Sequence, residues 1–146
     1  MSARVIVLSV CLAAALLGGG ACGTDPADPT QPPSFAAEPD QVVVSDSGSL
    51  TIAVRFAPAP PAVGTDAVQL SFVDANSAPA AGLGLAVVPW MPAHGHGTSV
   101  NPTVTETAPG VFLATPLYLF MPGSWELRMT ISGSLDDTAK AAFEIP

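Results

Sequence analysis

The chain has 146 residues, with four basic side chains against twelve acidic ones and a formal net charge of −8 at pH 7. This balance excludes nucleic acid as a partner, because phosphate binding needs a basic surface. Nearly half of the residues are hydrophobic and only two are cysteines, so we expect one domain built on a hydrophobic core and not on disulfides.

The first 21 residues have the pattern of a bacterial export signal. One basic residue, Arg4, precedes an apolar run from Val5 to Leu17, and small residues follow at 18–21. The apolar run is about 13 residues long, which is shorter than the roughly 20 that span a bilayer. We therefore expect residues 1–21 to be a lipoprotein-type signal peptide that is removed on export.

The residues after this run indicate the type of cleavage. Gly20-Ala21-Cys22 resembles a bacterial lipobox, although Gly19 stands where a branched residue is usual. Cys22 would then become the lipidated first residue of a lipoprotein anchored in the cell envelope and facing the periplasm or the exterior. Cys11 lies in the discarded run, so the exported chain would have no internal disulfide. The alternative is ordinary signal cleavage that leaves a free thiol.

Residues 22–40 are rich in proline and aspartate and poor in apolar side chains. Such a segment buries too little surface to offset the entropy lost on ordering. We expect a disordered linker that carries the domain away from the membrane.

The remaining residues, 41–146, alternate between apolar and polar side chains with a period of two. This alternation is typical of half-buried strands, and breakers rich in proline, glycine or aspartate separate the runs. The predicted strands are centred on Leu50–Phe56, Val68–Phe72, Leu83–Val87, Val111–Leu119, Trp125–Ile131 and Ala139–Ile145, with weaker ones at 41–45 and 100–107. Seven or eight short strands without helical periodicity predict an all-β fold, an antiparallel β-sandwich of immunoglobulin-like architecture.

Both histidines of the chain lie in one loop, Pro89-Trp90-Met91-Pro92-Ala93-His94-Gly95-His96-Gly97. Imidazole nitrogen and thioether sulfur together suit copper, with Cu(I) favoured as methionine enters the set, whereas magnesium and calcium prefer oxygen. In an extended segment, side chains two apart point the same way, so His94 and His96 can close on one ion. Gly95 and Gly97 allow the backbone to bend around it.

A second Met-Pro pair occurs in Phe120-Met121-Pro122-Gly123, which also follows a predicted strand. If the two strands are neighbours, Met121 caps the histidine loop, and the predicted copper site is Met91, His94, His96 and Met121. Trp90 and Trp125 would line this site and exclude water from it. The alternative is a polar surface loop, with the methionines and tryptophans as packing residues.

The sequence contains no Gly-x-Ser-x-Gly, His-Glu-x-x-His, Walker or dinucleotide-binding signature. Ser99 lies near His96, but no third group is evident to orient them as a nucleophile and base. A zinc site would need thiolates, a further histidine or a carboxylate, and Glu106 is the nearest downstream candidate. We therefore predict that the protein is not an enzyme.

Three motifs together resemble the YtkA-like domain over roughly Leu50 to Ile145. They are Met91-Pro92-x-His94-Gly95-His96, then Pro109-Gly110-Val111-Phe112, then Met121-Pro122-Gly123-x-Trp125-Glu126-Leu127. That family is similar to FixH-like proteins and to periplasmic copper-handling β-sandwich proteins. The resemblance implies an exported or membrane-attached sandwich that handles copper or helps to assemble a respiratory oxidase, and it carries over Met91, His94, His96, Met121 and Trp125.

These observations predict a cell-envelope lipoprotein that binds copper. Its partners would be the metal ion, the membrane through the N-terminal lipid, and a copper acceptor or oxidase assembly protein. The alternative left open is a non-catalytic scaffold or protein-interaction module without metal. Such a module would expose an apolar patch away from the histidines.

Overall fold

Two antiparallel sheets account for the described part of the chain, residues 31–146 of a computed structural model. Its nine strands are β1 (Gln41–Val44), β2 (Thr51–Ala57), β3 (Gly64–Val73), β4 (Leu83–Met91), β5 (His96–Gly97), β6 (Thr103–Ala108), β7 (Val111–Leu119), β8 (Gly123–Gly133) and β9 (Asp137–Ile145). One sheet has the order β1-β2-β3-β7-β6 and the other the order β5-β4-β8-β9. No helix of residues 31–146 is long and apolar enough to cross a membrane.

The prediction of an all-β antiparallel sandwich is confirmed, and the described part contains one strand more than expected. The weak strand predicted at 100–107 is β6, and the one predicted at 41–45 is β1. The additional strand, β5, has only two residues and lies inside the predicted histidine loop. So short a strand has no periodicity by which the sequence could indicate it.

The core forms between the two sheets because alternate residues of each long strand point inward. In β8 the inward series is Trp125, Leu127, Met129 and Ile131, all buried, while their neighbours are exposed or half-buried. The facing sheet contributes the largest fully buried side chains, among them Phe56, Phe72, Ile52, Leu70 and Leu117. This continuous apolar layer is the rigid support on which the loops at the ends are carried.

The position of Met121 relative to the histidines follows from how the chain changes sheets. The sequence left open whether the strands before the two Met-Pro pairs are neighbours, and they are not, because β4 and β7 lie in different sheets. The chain leaves β7 at Leu119, turns through 120–122 and starts β8 at Gly123. Because β8 pairs with β4, with Trp90 opposite Glu126, the turn that carries Met121 comes close to the end of β4.

The predicted signal peptide at 1–21 and the predicted lipidation site Cys22 lie outside the described residues. Within the predicted linker 22–40, the last residues touch the sandwich. The Arg55 guanidinium donates to the Ala37 carbonyl, with Nη2 at 3.1 Å, and the Phe56 N–H donates to the Asp40 carboxylate at 2.6 Å. The chain therefore contacts β2 at Ala37 and Asp40, before the first strand begins.

A group of polar contacts joins the β1–β2 connection to β9 in the other sheet. The Asp46 N–H donates to the Thr138 carbonyl at 2.7 Å, and the Ser47 hydroxyl donates to the Asp137 carboxylate at 2.5 Å. Hydrogen bonds from the side chains of Ser45 and then Ser47 lower the pKa of Asp137 to about 2. The ionised form of Asp137 therefore helps to hold the two sheets together.

Candidate metal site

The histidine loop is a tight hairpin between β4 and β5. Met91 lies opposite His96 and Trp90 opposite Gly97. The backbone N–H groups of His94 and Gly95 both donate to the Met91 carbonyl, at 3.2 and 3.0 Å. Gly95 has a φ of 69°, a left-handed conformation that glycine adopts without strain. The hairpin therefore carries His94 at its tip and His96 at its base.

The two imidazole rings are exposed neighbours, with centroids 5.7 Å apart and planes inclined at 48°. His96 Nδ1 lies 3.1 Å from the Gly97 carbonyl oxygen. Because a carbonyl can only accept, Nδ1 carries the proton of this hydrogen bond. The lone pair of the neutral ring is then on Nε2, the arrangement that a histidine ligand uses when its other nitrogen is fixed by a backbone carbonyl.

Met121 and His96 line the same cleft, although they are 25 positions apart in the sequence. The cleft has a volume of about 470 Å³ and lies where the β5–β6 connection and the β7–β8 turn pass between the sheets. Its lining residues are His96, Gly97, Thr98, Ser99, Val100, Tyr118, Phe120, Met121 and Trp125. The fold thus brings one predicted imidazole and one predicted thioether to a common space.

Met91 occupies a different environment from the other three predicted ligands. Its side chain is only 2% exposed and belongs to the hydrophobic core. Its methyl group packs against the start of β8, where a Cβ built on Gly123 would lie 3.4 Å from Met91 Cε. This burial fits the alternative that Met91 is a packing residue, and its sulfur would have to leave the core to meet the exposed rings.

The two tryptophans predicted to line the site lie in different places. Trp125 is 3% exposed, lines the cleft and donates from its indole Nε1 to the Met121 carbonyl at 3.0 Å. Trp90 is half-buried, and the Arg128 guanidinium lies 4.4 Å above its ring. Trp90 is not among the residues that line the cleft.

The described residues contain no group of three or more histidine, cysteine, aspartate and glutamate side chains placed to hold a metal ion. The predicted copper ligands differ from such a group, because two of the four are methionine thioethers. Glu106, the carboxylate nearest downstream of the histidines, accepts a hydrogen bond from the Gly110 N–H at 3.1 Å. That contact is at the β6–β7 turn, at the opposite end of β7 from Met121.

Sequence reasoning missed the apolar part of the cleft. Tyr118 and Phe120 stack with ring centroids 5.7 Å apart and planes inclined at 23°, and Phe120 is 63% exposed. Val100, on the opposite connection, is more than half exposed. The available signal was an aromatic residue directly after the end of a strand, where the alternation no longer buries it.

The fold and this end of the molecule together define a small β-sandwich protein with histidine and methionine side chains around one cleft. The chain belongs to the YtkA-like family, whose family model matches residues 45–130. The match includes both histidines, Met91 and Met121. No curated protein and no solved structure matches the chain. The similarity to FixH-like proteins stays a prediction.

Proposed function

We propose that this protein is a cell-envelope lipoprotein that binds copper through His94, His96 and Met121 and takes part in copper handling or respiratory oxidase assembly. The observation that carries the proposal is that His96, in β5, and Met121, in the β7–β8 turn, line one cleft. The His94 ring lies beside that of His96, at 5.7 Å between centroids.

The chemistry of these side chains supports copper over other metals. Two imidazoles and a thioether offer nitrogen and soft sulfur, a set that suits copper and especially Cu(I). The hydrogen bond of His96 Nδ1 to the Gly97 carbonyl leaves Nε2 available as the donor atom. His94, at the exposed tip of the hairpin, can rotate toward the same ion without disturbing the core.

Met91 enters this proposal as a support and not as a ligand in the resting structure. It lies opposite His96 in the hairpin, so its packing fixes the base of the hairpin against the core. A fourth ligand from Met91 would require the hairpin to open.

The membrane part of the proposal comes from the sequence of residues 1–22. Lipidation of Cys22 would tether the domain to a membrane, and the linker would let it meet a copper acceptor. The expected partners are therefore the metal ion, the lipid bilayer through the anchor, and an acceptor or oxidase assembly protein.

A competition titration of the purified protein with Cu(I) and a coloured Cu(I) chelator tests the metal binding. The His94→Ala, His96→Ala double variant should bind Cu(I) at least about tenfold more weakly than the wild type, since lost ligand interactions cost about 1.4 kcal/mol or more. Ser99→Ala is the matched control, because it changes the same cleft without removing a proposed ligand. Equal affinities of the double variant and the wild type would refute the proposal.

A second candidate function, a protein-interaction module, is favoured by the edge strand β1. Val42 and Val44 are both more than half exposed, and β1 contains no charged residue. It belongs to the sheet that does not carry the histidine hairpin. An uncharged edge strand of this kind can accept a strand from another protein. Photo-crosslinking in cells from a probe at position 42 should then capture a defined partner, and Val44→Lys should abolish this crosslink. Unchanged crosslinks in Val44→Lys would exclude strand addition at β1.

A further inference from the structure

We infer that in the metal-free protein the cleft between Phe120 and Val100 is also a binding site for a small, uncharged, aromatic molecule. At about 470 Å³ the cleft is far larger than one metal ion needs. Its volume lies within the roughly 300–1,000 Å³ that is typical of small-molecule sites.

The walls of the cleft are suited to a flat apolar ligand. Tyr118 and Phe120 form a stacked aromatic wall, and Val100 stands on the connection opposite. Phe120 is 63% exposed, and large apolar side chains that converge on a concave surface indicate a binding site. A planar ring system bound here would cover Phe120 and Val100 and gain stacking contacts with the aromatic wall.

The floor of the cleft favours a small molecule over a protein surface. Trp125 lines the cleft and yet is 3% exposed and part of the hydrophobic core. The cleft therefore reaches down to the core of the sandwich. A flat partner surface would cover Phe120 and Val100 but leave this depth empty, whereas a compact ring system can fill it.

The charge of the cleft indicates an uncharged ligand. None of the described residues that line it is aspartate, glutamate, lysine or arginine, although the chain as a whole has a net charge of −8. A cationic ligand would find no carboxylate to pair with, and an anionic one would approach an acidic protein. A neutral molecule needs no carboxylate partner and is not repelled by the acidic protein.

Apart from the Tyr118 hydroxyl on the aromatic wall, the polar side chains of the cleft lie on β5 and the β5–β6 connection, so the ligand needs at least one polar end. Ser99, on the β5–β6 connection, offers a hydroxyl, and His96, in β5, offers an imidazole. The Thr98 hydroxyl is already engaged, because it donates to the Val100 carbonyl at 2.8 Å and so holds this connection in shape. The ligand class is thus a neutral aromatic body with at least one hydrogen-bonding group.

Fluorescence titration of the metal-free protein with N-phenyl-1-naphthylamine, a neutral aromatic amine that brightens in apolar sites, tests this assignment. We expect saturable binding with one probe per chain. Phe120→Ser should weaken probe binding at least about tenfold, because the variant loses one stacking partner and the apolar area that this side chain buries against the probe. Val42→Ser, which removes an exposed apolar side chain outside the cleft, should bind as the wild type does.

Three outcomes would overturn the inference. They are the absence of saturable binding, an equal loss in Val42→Ser and Phe120→Ser, and probe binding that merely follows a concentration-dependent dimer seen by analytical ultracentrifugation. If Phe120→Ser does not keep the circular dichroism of the wild type, Val100→Ser on the opposite wall replaces it, with the same tenfold loss expected. Because no metal is present, the result is independent of the copper proposal.

Discussion

The indole Nε1 of Trp125 donates a hydrogen bond to the backbone carbonyl of Met121 at 3.0 Å. Trp125 is buried in β8, while Met121 lies in the turn that connects β7 to β8. The bond attaches this turn to the hydrophobic core. The direction of the Met121 side chain therefore depends on the packing of the sandwich and not on the turn alone.

Replacing Trp125 by phenylalanine should test this attachment, because the variant keeps a buried aromatic ring but loses the N–H donor. We expect the free energy of unfolding to fall by at least about 1 kcal/mol, the usual contribution of one such hydrogen bond, with a further loss from the buried volume removed. Cu(I) binding should weaken as well. Urea denaturation and chelator competition measure the two effects. Trp90→Phe is the matched control, since it keeps an aromatic face beneath Arg128. Wild-type stability and affinity in Trp125→Phe would show that the bond does not position Met121.

The two methionines should differ in their importance for copper. Leucine nearly conserves the volume of methionine, so each replacement should cost less than about 1.5 kcal/mol of stability. Met121→Leu should weaken Cu(I) binding at least about tenfold by removing a ligand, whereas Met91→Leu should leave it nearly unchanged. Equal losses in both would show that the hairpin opens and that Met91 is a ligand as the family resemblance implies. No loss in Met121→Leu would remove it from the site.

The two glycines of the hairpin have different tasks, and substitution should separate them. A Cβ on Gly97 would lie 2.6 Å from the Pro89 carbonyl oxygen, too close to be accommodated unless β5 moves away from β4. Gly97→Ala should therefore displace His96 and weaken copper binding. Gly95 has a φ of 69°, but a Cβ added there would meet no heavy atom within 4 Å, so Gly95→Asn should be tolerated. Chelator competition measures both variants, and equal affinity in the two would contradict this account of the hairpin.

Asp137 should contribute to the acid sensitivity of the fold. Hydrogen bonds from Ser45 and Ser47 lower its pKa from 3.8 to about 2, so the folded state favours the ionised carboxylate. The stability it contributes is present above about pH 4 and is lost as the pH falls through about 2. Chemical denaturation across this range should show a shallower acid loss in Asp137→Asn than in the wild type. Parallel profiles would mean that the contact between the sheets does not depend on this charge.

Most of the sandwich could be predicted because its long strands bury alternate residues. The inward series of β8 and β2 can be followed directly in the sequence, and the breakers between strands carry the prolines and glycines. The two-residue β5 could not be predicted, because its existence depends on the pairing of His96 with Met91 and not on any pattern of its own.

The ligand types of the candidate site could be predicted from their chemistry, but their placement could not. The burial of Met91 follows from the alternation of β4. Leu83 and Val87 point inward, and Met91 lies on the same face of the strand. The cleft depends on two connections that cross between the sheets. Phe120 and Val100 line the same cleft because β8 pairs with β4, a relationship that no local pattern contains.

X-ray absorption spectroscopy at the copper edge of the Cu(I)-loaded protein tests the central claim most directly. It distinguishes nitrogen from sulfur neighbours of the metal and resolves the ring scattering of imidazole. We predict imidazole nitrogen together with one sulfur, and loss of the sulfur signal in Met121→Leu. A copper environment without sulfur, or one that stays the same in Met121→Leu, would contradict the claim that His96 and Met121 converge on one ion.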